Sequence, residues 1–214
     1  MEELEGYSMR EQAVDITPLR NFVIGFTRLI EGGPEEAVVL EEGRALLSRL
    51  IARDDWLAEE FARPHPDFYQ QYLLYCDPLE RFSVVSFVWG PGQKTPVHNH
   101  GVWGLIGVLR GSEGSIRFRR GPSGALEQVG KREVLRQGDI DAVSPAIGDI
   151  HEVSNNEPER TSVSIHVYGA NIGAVVREVY DPVTGRAKAF VSGYSSSVMP
   201  NLWDRSAETR AALS

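Results

Sequence analysis

Residues 92–100 read GQKTPVHNH, and the two histidines that end this stretch decide how the rest of the chain is interpreted. Side chains two positions apart on a β-strand point to the same face, so we expect His98 and His100 to share one pocket. His151 follows a further strand-rich stretch and offers a third imidazole. Three neutral protein ligands leave coordination positions open, as in catalytic metal sites. The spacing therefore predicts a catalytic metal site made of three histidines.

Glycines and prolines form a regular frame around these histidines. This frame resembles the two sequence motifs of the cupin family, which are small metal-binding barrels. The resemblance implies a mainly β fold, a double-stranded β-helix (jelly-roll) barrel, with an N-terminal α-helical region. Two features depart from the motifs: a glycine stands where the first motif has a Glu ligand, and the second motif is one residue longer at each of two steps. The residues of the frame are Gly92, Gly104, Gly111, Gly138, Pro145 and Gly148. Gly104 is the glycine that stands in place of the Glu ligand.

Composition and charge restrict the class of protein. A chain of 214 residues fits one domain, and its net charge of −8 argues against non-specific nucleic-acid binding. No run of 18 apolar residues predicts a membrane span, and the acidic N-terminus lacks the features of a signal peptide. Cys76 is the single cysteine, which excludes an internal disulfide. We therefore expect a cytoplasmic protein, in a reducing compartment.

The hydrophobic pattern divides the chain into three parts. Residues 1–68 are predicted to be a helical region packed on the barrel, with helices over Pro18–Ile30, Glu35–Ala52 and Trp56–Ala62. Residues 69–200 contain short apolar runs separated by turn signals, which predicts the barrel. One of these turn signals is residues 111–114, GSEG. Residues 201–214 are predicted to be a tail in which Trp203 packs on the barrel.

A second polar pattern lies at Ser164, His166 and Tyr168, which alternate with apolar residues. On a strand these three side chains share one face. One interpretation is a solvent-facing row, which the spacing alone favours. The other is a relay in which Ser164 orients His166, His166 contacts Tyr168, and the phenol points at the metal.

Together, the three histidines and this row resemble the thiol dioxygenases, the cysteine dioxygenase-like branch of the cupins, over roughly residues 68–180. The resemblance implies that His98, His100 and His151 hold Fe(II). It also implies that a small thiol carboxylate and O₂ are the substrates, and that Ser164, His166 and Tyr168 act beside the metal. Imidazole ligands themselves suit several metals, so iron rests on the resemblance.

The subgroup that acts on 3-mercaptopropionate resembles this chain more than the mammalian-type cysteine dioxygenases do. Mammalian-type enzymes have a cysteine, crosslinked to the tyrosine, in the region of Gly104, whereas Cys76 lies before the motif. They also have a carboxylate-binding arginine where this chain has Gln71. In the 3-mercaptopropionate subgroup a glutamine stands there, and an arginine nine residues after the tyrosine binds the carboxylate, which corresponds to Arg177. Gln70 adjoins Gln71, and the strand register decides which of them faces the pocket.

The expected function is oxidation of 3-mercaptopropionate to its sulfinate. Cysteine dioxygenase activity and action on another mercapto acid, such as mercaptosuccinate, stay open as alternatives. A non-catalytic metal-binding sensor belongs to a different class, which three histidines alone would also fit. A nickel or zinc isomerase is less consistent with the missing Glu ligand. The sequence leaves the oligomeric state open.

Overall fold

Two helices precede the β-structure. The computed structural model describes residues 14–196 and 206–213. Helix α1 (Thr17–Glu31) begins with a proline in its first turn, and α2 (Glu36–Ile51) follows after a short turn. The third predicted helix is reduced to a 3₁₀ turn at Glu59–Phe61. The reason lies at Trp56, whose indole N–H donates to the carbonyl groups of Leu50 and Arg53. This side chain closes the end of α2 instead of starting a new helix.

Eleven strands make up the β-structure of the described residues. Some are longer than their apolar runs, because polar residues continue the ladders. Between β9 and β10 lies a 3₁₀ turn at Ile172–Ala174. The strands are β1 (Gln70–Cys76), β2 (Ser83–Trp89), β3 (Val97–His98), β4 (Gly104–Arg110), β5 (Ser112–Arg120), β6 (Leu126–Arg136), β7 (Ile140–Val143), β8 (Ile150–Asn155), β9 (Ser162–Tyr168), β10 (Arg177–Tyr180) and β11 (Ala187–Phe190).

The strands form two antiparallel sheets, with the orders β1-β2-β9-β4-β7 and β11-β10-β3-β8-β5-β6. Neighbours in each sheet come from distant parts of the chain, as in a jelly roll. β2, for example, pairs with β9 across more than seventy residues. This topology and the helices before it confirm the predicted fold class, a mainly β double-stranded barrel with an N-terminal helical region.

The two faces of the first sheet are covered differently. Alternate residues of β9, namely Val163, Ile165 and Val167, belong to the apolar core that includes the helices. Tyr168 belongs instead to a second core with residues of β2 and β8. All seven residues of β9 are buried, because helices cover one face and the opposite sheet covers the other. The polar row of β9 therefore points into the barrel, and the solvent-facing interpretation is wrong.

Helix α2 approaches β4 closely. A Cβ atom at Gly107 would lie 2.9 Å from Ile51 Cδ1 and 3.1 Å from Leu47, so a larger residue there would force the helix or these side chains to move. Helix α2 therefore covers the outer face of the sheet next to β9, the strand that carries the polar row.

The boundaries predicted at residues 68 and 200 stay a prediction. Of the predicted tail, the structure describes 206–213, which contain α3 (Ser206–Ala211), whereas Trp203 lies outside the described residues. In the described part of the chain, no helix has the length and apolar character needed to cross a bilayer.

Candidate metal centre and substrate pocket

The structure brings together the three histidines that the sequence singled out. One ligating nitrogen of each lies within 4.8 Å of the others, and the ring centroids are 4.8 to 4.9 Å apart. All three side chains are buried. A group of this kind could bind a metal ion.

Contrary to the prediction, His98 and His100 do not lie on the same strand. Strand β3 contains only Val97 and His98, and His98 lies directly opposite His151 of β8. His100 follows the strand rather than belonging to it. Asn99 ends the strand, because its backbone N–H donates to Glu178 O and its side-chain oxygen accepts from Glu178 N–H. The alternation of a long strand therefore does not explain how His98 and His100 meet.

Asp149 holds His100 in place instead. Its Oδ1 accepts from the backbone N–H of His100 at 3.0 Å and lies 3.1 Å from the Nδ1 of the same residue. Its Oδ2 accepts from Gly101 N–H at 2.9 Å. Burial raises the pKa of Asp149, but its hydrogen bonds with His100 and Gly101 outweigh this, so the pKa is lower than usual. The ionised carboxylate fixes Nδ1 as the protonated nitrogen of His100 and leaves Nε2 free. Sequence reasoning missed this residue, although it lies two positions before a predicted ligand.

The protonation of the histidines fits a metal. Burial lowers the pKa of His98 and His151 far below the usual value, and it lowers that of His100 less strongly because Asp149 opposes it. His98 directs its Nδ1 at Pro96 O, 3.0 Å away, which leaves Nε2 as its ligating atom. The buried Nδ1 of His151 has no hydrogen-bond partner among the described residues. Neutral imidazoles are the form that ligates, so this donor set fits a divalent ion.

Gly104 stands where the cupin motif that the sequence resembles has a Glu ligand, and the structure shows why a larger side chain does not fit there. A Cβ atom at this position would lie 2.8 Å from Tyr168 Cδ1, 2.9 Å from its Cε1 and 3.1 Å from Val143 Cγ2. A side chain at 104 and the ring of Tyr168 would compete for the same space. The glycine at position 104 therefore leaves room for the ring of Tyr168.

The polar row of β9 is hydrogen-bonded from end to end. Ser164 Oγ lies 2.8 Å from His166 Nε2, and His166 Nδ1 lies 2.8 Å from the hydroxyl oxygen of Tyr168. The ring of His166 stacks on Phe87, and the ring of Tyr168 stacks on His100. Burial lowers the pKa of His166 and raises that of Tyr168, so both are neutral at physiological pH.

Arg177 lies in the same pocket. It is 4 % exposed, its Nη2 donates to Ser192 Oγ at 2.5 Å, and its guanidinium carbon lies 4.7 Å from the ring centroid of Phe190. Its buried Nε has no partner, and no carboxylate pairs with it among the described residues. Burial lowers the pKa of Arg177, but an arginine remains charged at physiological pH. A buried guanidinium that no carboxylate neutralises could bind an anion.

The register of β1 places Gln71, and not Gln70, at the pocket. The amide nitrogen of Gln71 donates to Ser192 Oγ at 3.0 Å and to Gly193 O at 2.6 Å. Gln70 directs its amide at the nearby backbone. Ser192 thus accepts from both Gln71 and Arg177 and supports these two pocket residues, and no sequence motif pointed to it.

The pocket is small and carries one formal charge. Its volume is about 170 Å³. Arg177 is the only lining residue among those described that is charged at neutral pH. The lining side chains are those of Tyr69, Gln71, Phe87, Trp89, Thr95, Pro96, His98, His100, His151, Val153, His166, Tyr168, Arg177, Val179 and Phe190.

Cys76 is too distant to react with Tyr168. It pairs with Ser83 on β2, and Ser83 pairs with Tyr168 on β9, so the two residues lie two strands apart. At about 4.8 Å per strand their backbones are ~10 Å apart. This separation is consistent with the prediction that Cys76 is not a thioether partner of Tyr168.

The chain was compared with known families and solved structures. No family model matches the sequence. One similar solved structure is an uncharacterised protein with a double-stranded β-helix domain from Klebsiella pneumoniae, at 22% identity and a TM-score of 0.41, covering 56% of this chain and 95% of that one. Another is a Cupin 2 conserved barrel domain protein from Salinispora arenicola, at 19% identity and a TM-score of 0.38, covering 52% and 83%. Oxalate oxidase in complex with glycolate shares 17% identity, with a TM-score of 0.39, covering 50% and 53%. These likenesses concern about half of this chain and assign no activity to it.

Proposed function

We propose that this chain is a non-haem Fe(II) thiol dioxygenase that converts 3-mercaptopropionate to its sulfinate. One observation carries the proposal: three neutral imidazoles and an unpaired, buried guanidinium line the same small pocket. A metal ion attracts a thiolate, and a guanidinium pairs with a carboxylate in a bidentate manner. A short mercapto acid has both groups on one small skeleton.

The reaction adds both atoms of O₂ to the substrate sulfur, R–S⁻ + O₂ → R–SO₂⁻, so no other reductant is required. When bound, Fe(II) supplies the coordination site for sulfur and the electrons that activate dioxygen. His98, His100 and His151 hold the ion, and Arg177 fixes the carboxylate. Binding both ends of the substrate holds the sulfur in one orientation, and this positioning is the main contribution of the protein.

Tyr168 supplies a neutral hydroxyl beside the metal centre. Because burial raises its pKa, the phenol keeps its proton and can donate a hydrogen bond to the reacting atoms. His166 and Ser164 hold the hydroxyl from behind. The aromatic rings of the pocket exclude water from the sulfur during the reaction.

The charge of the pocket favours 3-mercaptopropionate over related thiols. The ammonium group of L-cysteine would enter beside Arg177 without a carboxylate to balance it among the described lining residues. Mercaptosuccinate would bring a second carboxylate, for which the described lining offers no second cation. Desolvating an unpaired charge is costly, so both substrates should bind less well.

The test is anaerobic reconstitution with Fe(II), followed by measurement of oxygen uptake and sulfinate formation. We expect 3-mercaptopropionate to turn over with a higher kcat/KM than L-cysteine. In Arg177→Gln, kcat/KM for 3-mercaptopropionate should fall by about 10² or more, since a buried charge pair is worth several kcal/mol when one partner is lost. Arg119→Gln, an exposed arginine on β5, is the matched control.

Ethanethiol, which lacks the carboxylate, should distinguish a binding role from a structural one. Its turnover should be slow with the wild type and unchanged in Arg177→Gln. Preference for L-cysteine would assign the chain to the cysteine dioxygenases. Metal binding without oxygen uptake with any thiol would favour a sensor and overturn the proposal.

A further inference from the structure

A buried acid lies at the end of the polar row that is remote from the histidines. Glu113 is on β5 and is 1 % exposed. Neither of its carboxyl oxygens has a hydrogen-bond partner of normal geometry within the described residues. The two donors near enough to influence its ionisation are the Ser164 hydroxyl and the Trp89 indole N–H. Trp89 Nε1 also lies 3.4 Å from Ser164 Oγ. Glu113 thus extends the row to Glu113, Ser164, His166 and Tyr168.

Burial keeps this carboxyl group neutral near physiological pH. Desolvation raises the pKa of Glu113 to about 8, and the nearby Ser164 hydroxyl and Trp89 N–H, which favour the ionised form, oppose this only in part. Among the described residues, no charged side chain contributes to this balance, and the titratable group recorded as interacting with Glu113 is Tyr168 on β9. Unlike a carboxylate, a neutral carboxyl group has a proton to donate.

The direction of each hydrogen bond in the row depends on its neighbour. A neutral imidazole has one N–H and one acceptor nitrogen, so His166 must donate at one end and accept at the other. If Ser164 donates to Nε2, then Nδ1–H donates to the Tyr168 oxygen, and the phenol proton is free to point into the pocket. If Nε2–H donates to Ser164, then Nδ1 accepts the phenol proton, and Tyr168 has none for the pocket.

We propose that Glu113 is a positioning residue that sets this direction. The neutral carboxyl donates to Ser164 Oγ, Ser164 donates to His166, and His166 donates to Tyr168, so every hydrogen bond points toward the metal centre. An ionised Glu113 would accept from Ser164 and reverse the row. What the phenol proton then does rests on the proposed function, whereas the direction of the row does not.

The direct test is the tautomer of His166, read by ¹⁵N NMR of the histidine side chains in the full-length, metal-free chain. Loss of one signal set in His166→Gln assigns the residue. We expect the Nδ1–H tautomer at pH 6.5 in the wild type and a shift toward Nε2–H above pH 8. In Glu113→Gln the amide still donates to Ser164, so the Nδ1–H tautomer should persist at every pH. An Nε2–H tautomer in the wild type at pH 6.5, or the same pH response in Glu113→Gln, would overturn the inference.

Turnover supplies an independent readout. In Glu113→Leu, kcat for 3-mercaptopropionate should fall about tenfold or more, with KM and metal affinity unchanged, and Glu113→Gln should restore it. If Glu113→Leu does not fold, the comparison of wild type with Glu113→Gln still decides, because the wild type should lose kcat above pH 8 and Glu113→Gln should not. The expected tautomers without thiol turnover would refute the proposed function alone. Turnover with a tautomer independent of Glu113 would refute this inference alone.

Discussion

The position of His100 depends on a single carboxylate. His100 lies outside β3, so pairing between strands does not fix its backbone. Asp149 accepts a hydrogen bond from its backbone N–H and lies against its Nδ1. Groups that orient a ligating histidine in this way commonly contribute 10- to 100-fold to metal affinity. In Asp149→Asn, an amide N–H₂, which cannot accept a hydrogen bond, would face the N–H donors of His100 and Gly101. This substitution should weaken Zn(II) and Fe(II) binding by about that factor. Competition with a chromophoric chelator measures it.

An exposed aspartate gives the control for this substitution. Asp55→Asn changes the same functional group at a surface ion pair with Arg53 and should leave metal affinity unchanged. If Asp149→Asn binds metal as tightly as the wild type, the rigid loop around Asn99 alone must place His100.

The sequence could predict residues that act through short spacing and missed those that act across the barrel. Within the pair His98 and His100, and within the row of β9, successive members are two positions apart, so a short sequence pattern is enough to single them out, although only the row of β9 lies on one strand. Asp149 contacts His100 across 49 positions, a contact that no local pattern encodes. Glu113 was missed for another reason. The sequence GSEG at residues 111–114 suggests a turn, but the turn is confined to Gly111, which has a φ of +72°. Strand β5 begins at the next residue.

At the scale of elements, the contact between α2 and β4 tests how closely the helices cover the sheet. In Gly107→Ala, the new Cβ would meet Ile51 and Leu47 at 2.9 to 3.1 Å, so the helix or its side chains must move. We expect a loss of about 1–3 kcal/mol in the free energy of unfolding, measured by urea denaturation. Gly32→Ala is the matched control, because it has a φ of −83° and nothing within 4 Å of the new Cβ. Equal stability of the two variants would show that the contact adapts freely.

The segment after β11 links the pocket to α3. Arg210 of α3 donates to Val191 O and Ser192 O, while Ser192 Oγ accepts from Arg177 and Gln71. Arg210→Ala should loosen this segment and raise KM for the mercapto acid about three- to tenfold, as expected from the loss of hydrogen bonds worth ~1 kcal/mol. Metal affinity and kcat should not change. Arg119→Ala is the control, and a change in kcat instead of KM would contradict the role of the segment in substrate binding.

The sequence carried less information about this segment than about the helices. Predicted and observed helix bounds agree for α1 and α2, because their apolar period is long enough to be read. The strand at Ala187–Phe190 has a half-buried or exposed side-chain pattern and no apolar run. Its position follows from pairing with β10, which is a property of the folded sheet.

For the whole molecule, a barrel lined with neutral histidines should be sensitive to acid. Burial lowers the pKa of His98, His100, His151 and His166 below the unfolded value of about 6.5. The unfolded chain then binds more protons than the folded one as the pH falls below ~6.5, so the metal-free protein loses stability there. Above that pH this contribution is fully present.

Glu113 acts on stability with the opposite sign, and it can be separated from the histidines. Its folded pKa of about 8 lies above its usual value of 4.5, so its favourable contribution is present below pH 4.5 and is lost as the pH rises through 8. The histidines affect wild type and Glu113→Gln alike, and their contribution cancels in the difference. Between pH 5 and 7.5, the unfolding free energy of the wild type should therefore fall relative to Glu113→Gln by about 1.4 kcal/mol per pH unit. Urea denaturation across this range measures it. A difference independent of pH would mean that Glu113 is ionised in the folded barrel, and the row of hydrogen bonds would then point away from the metal centre.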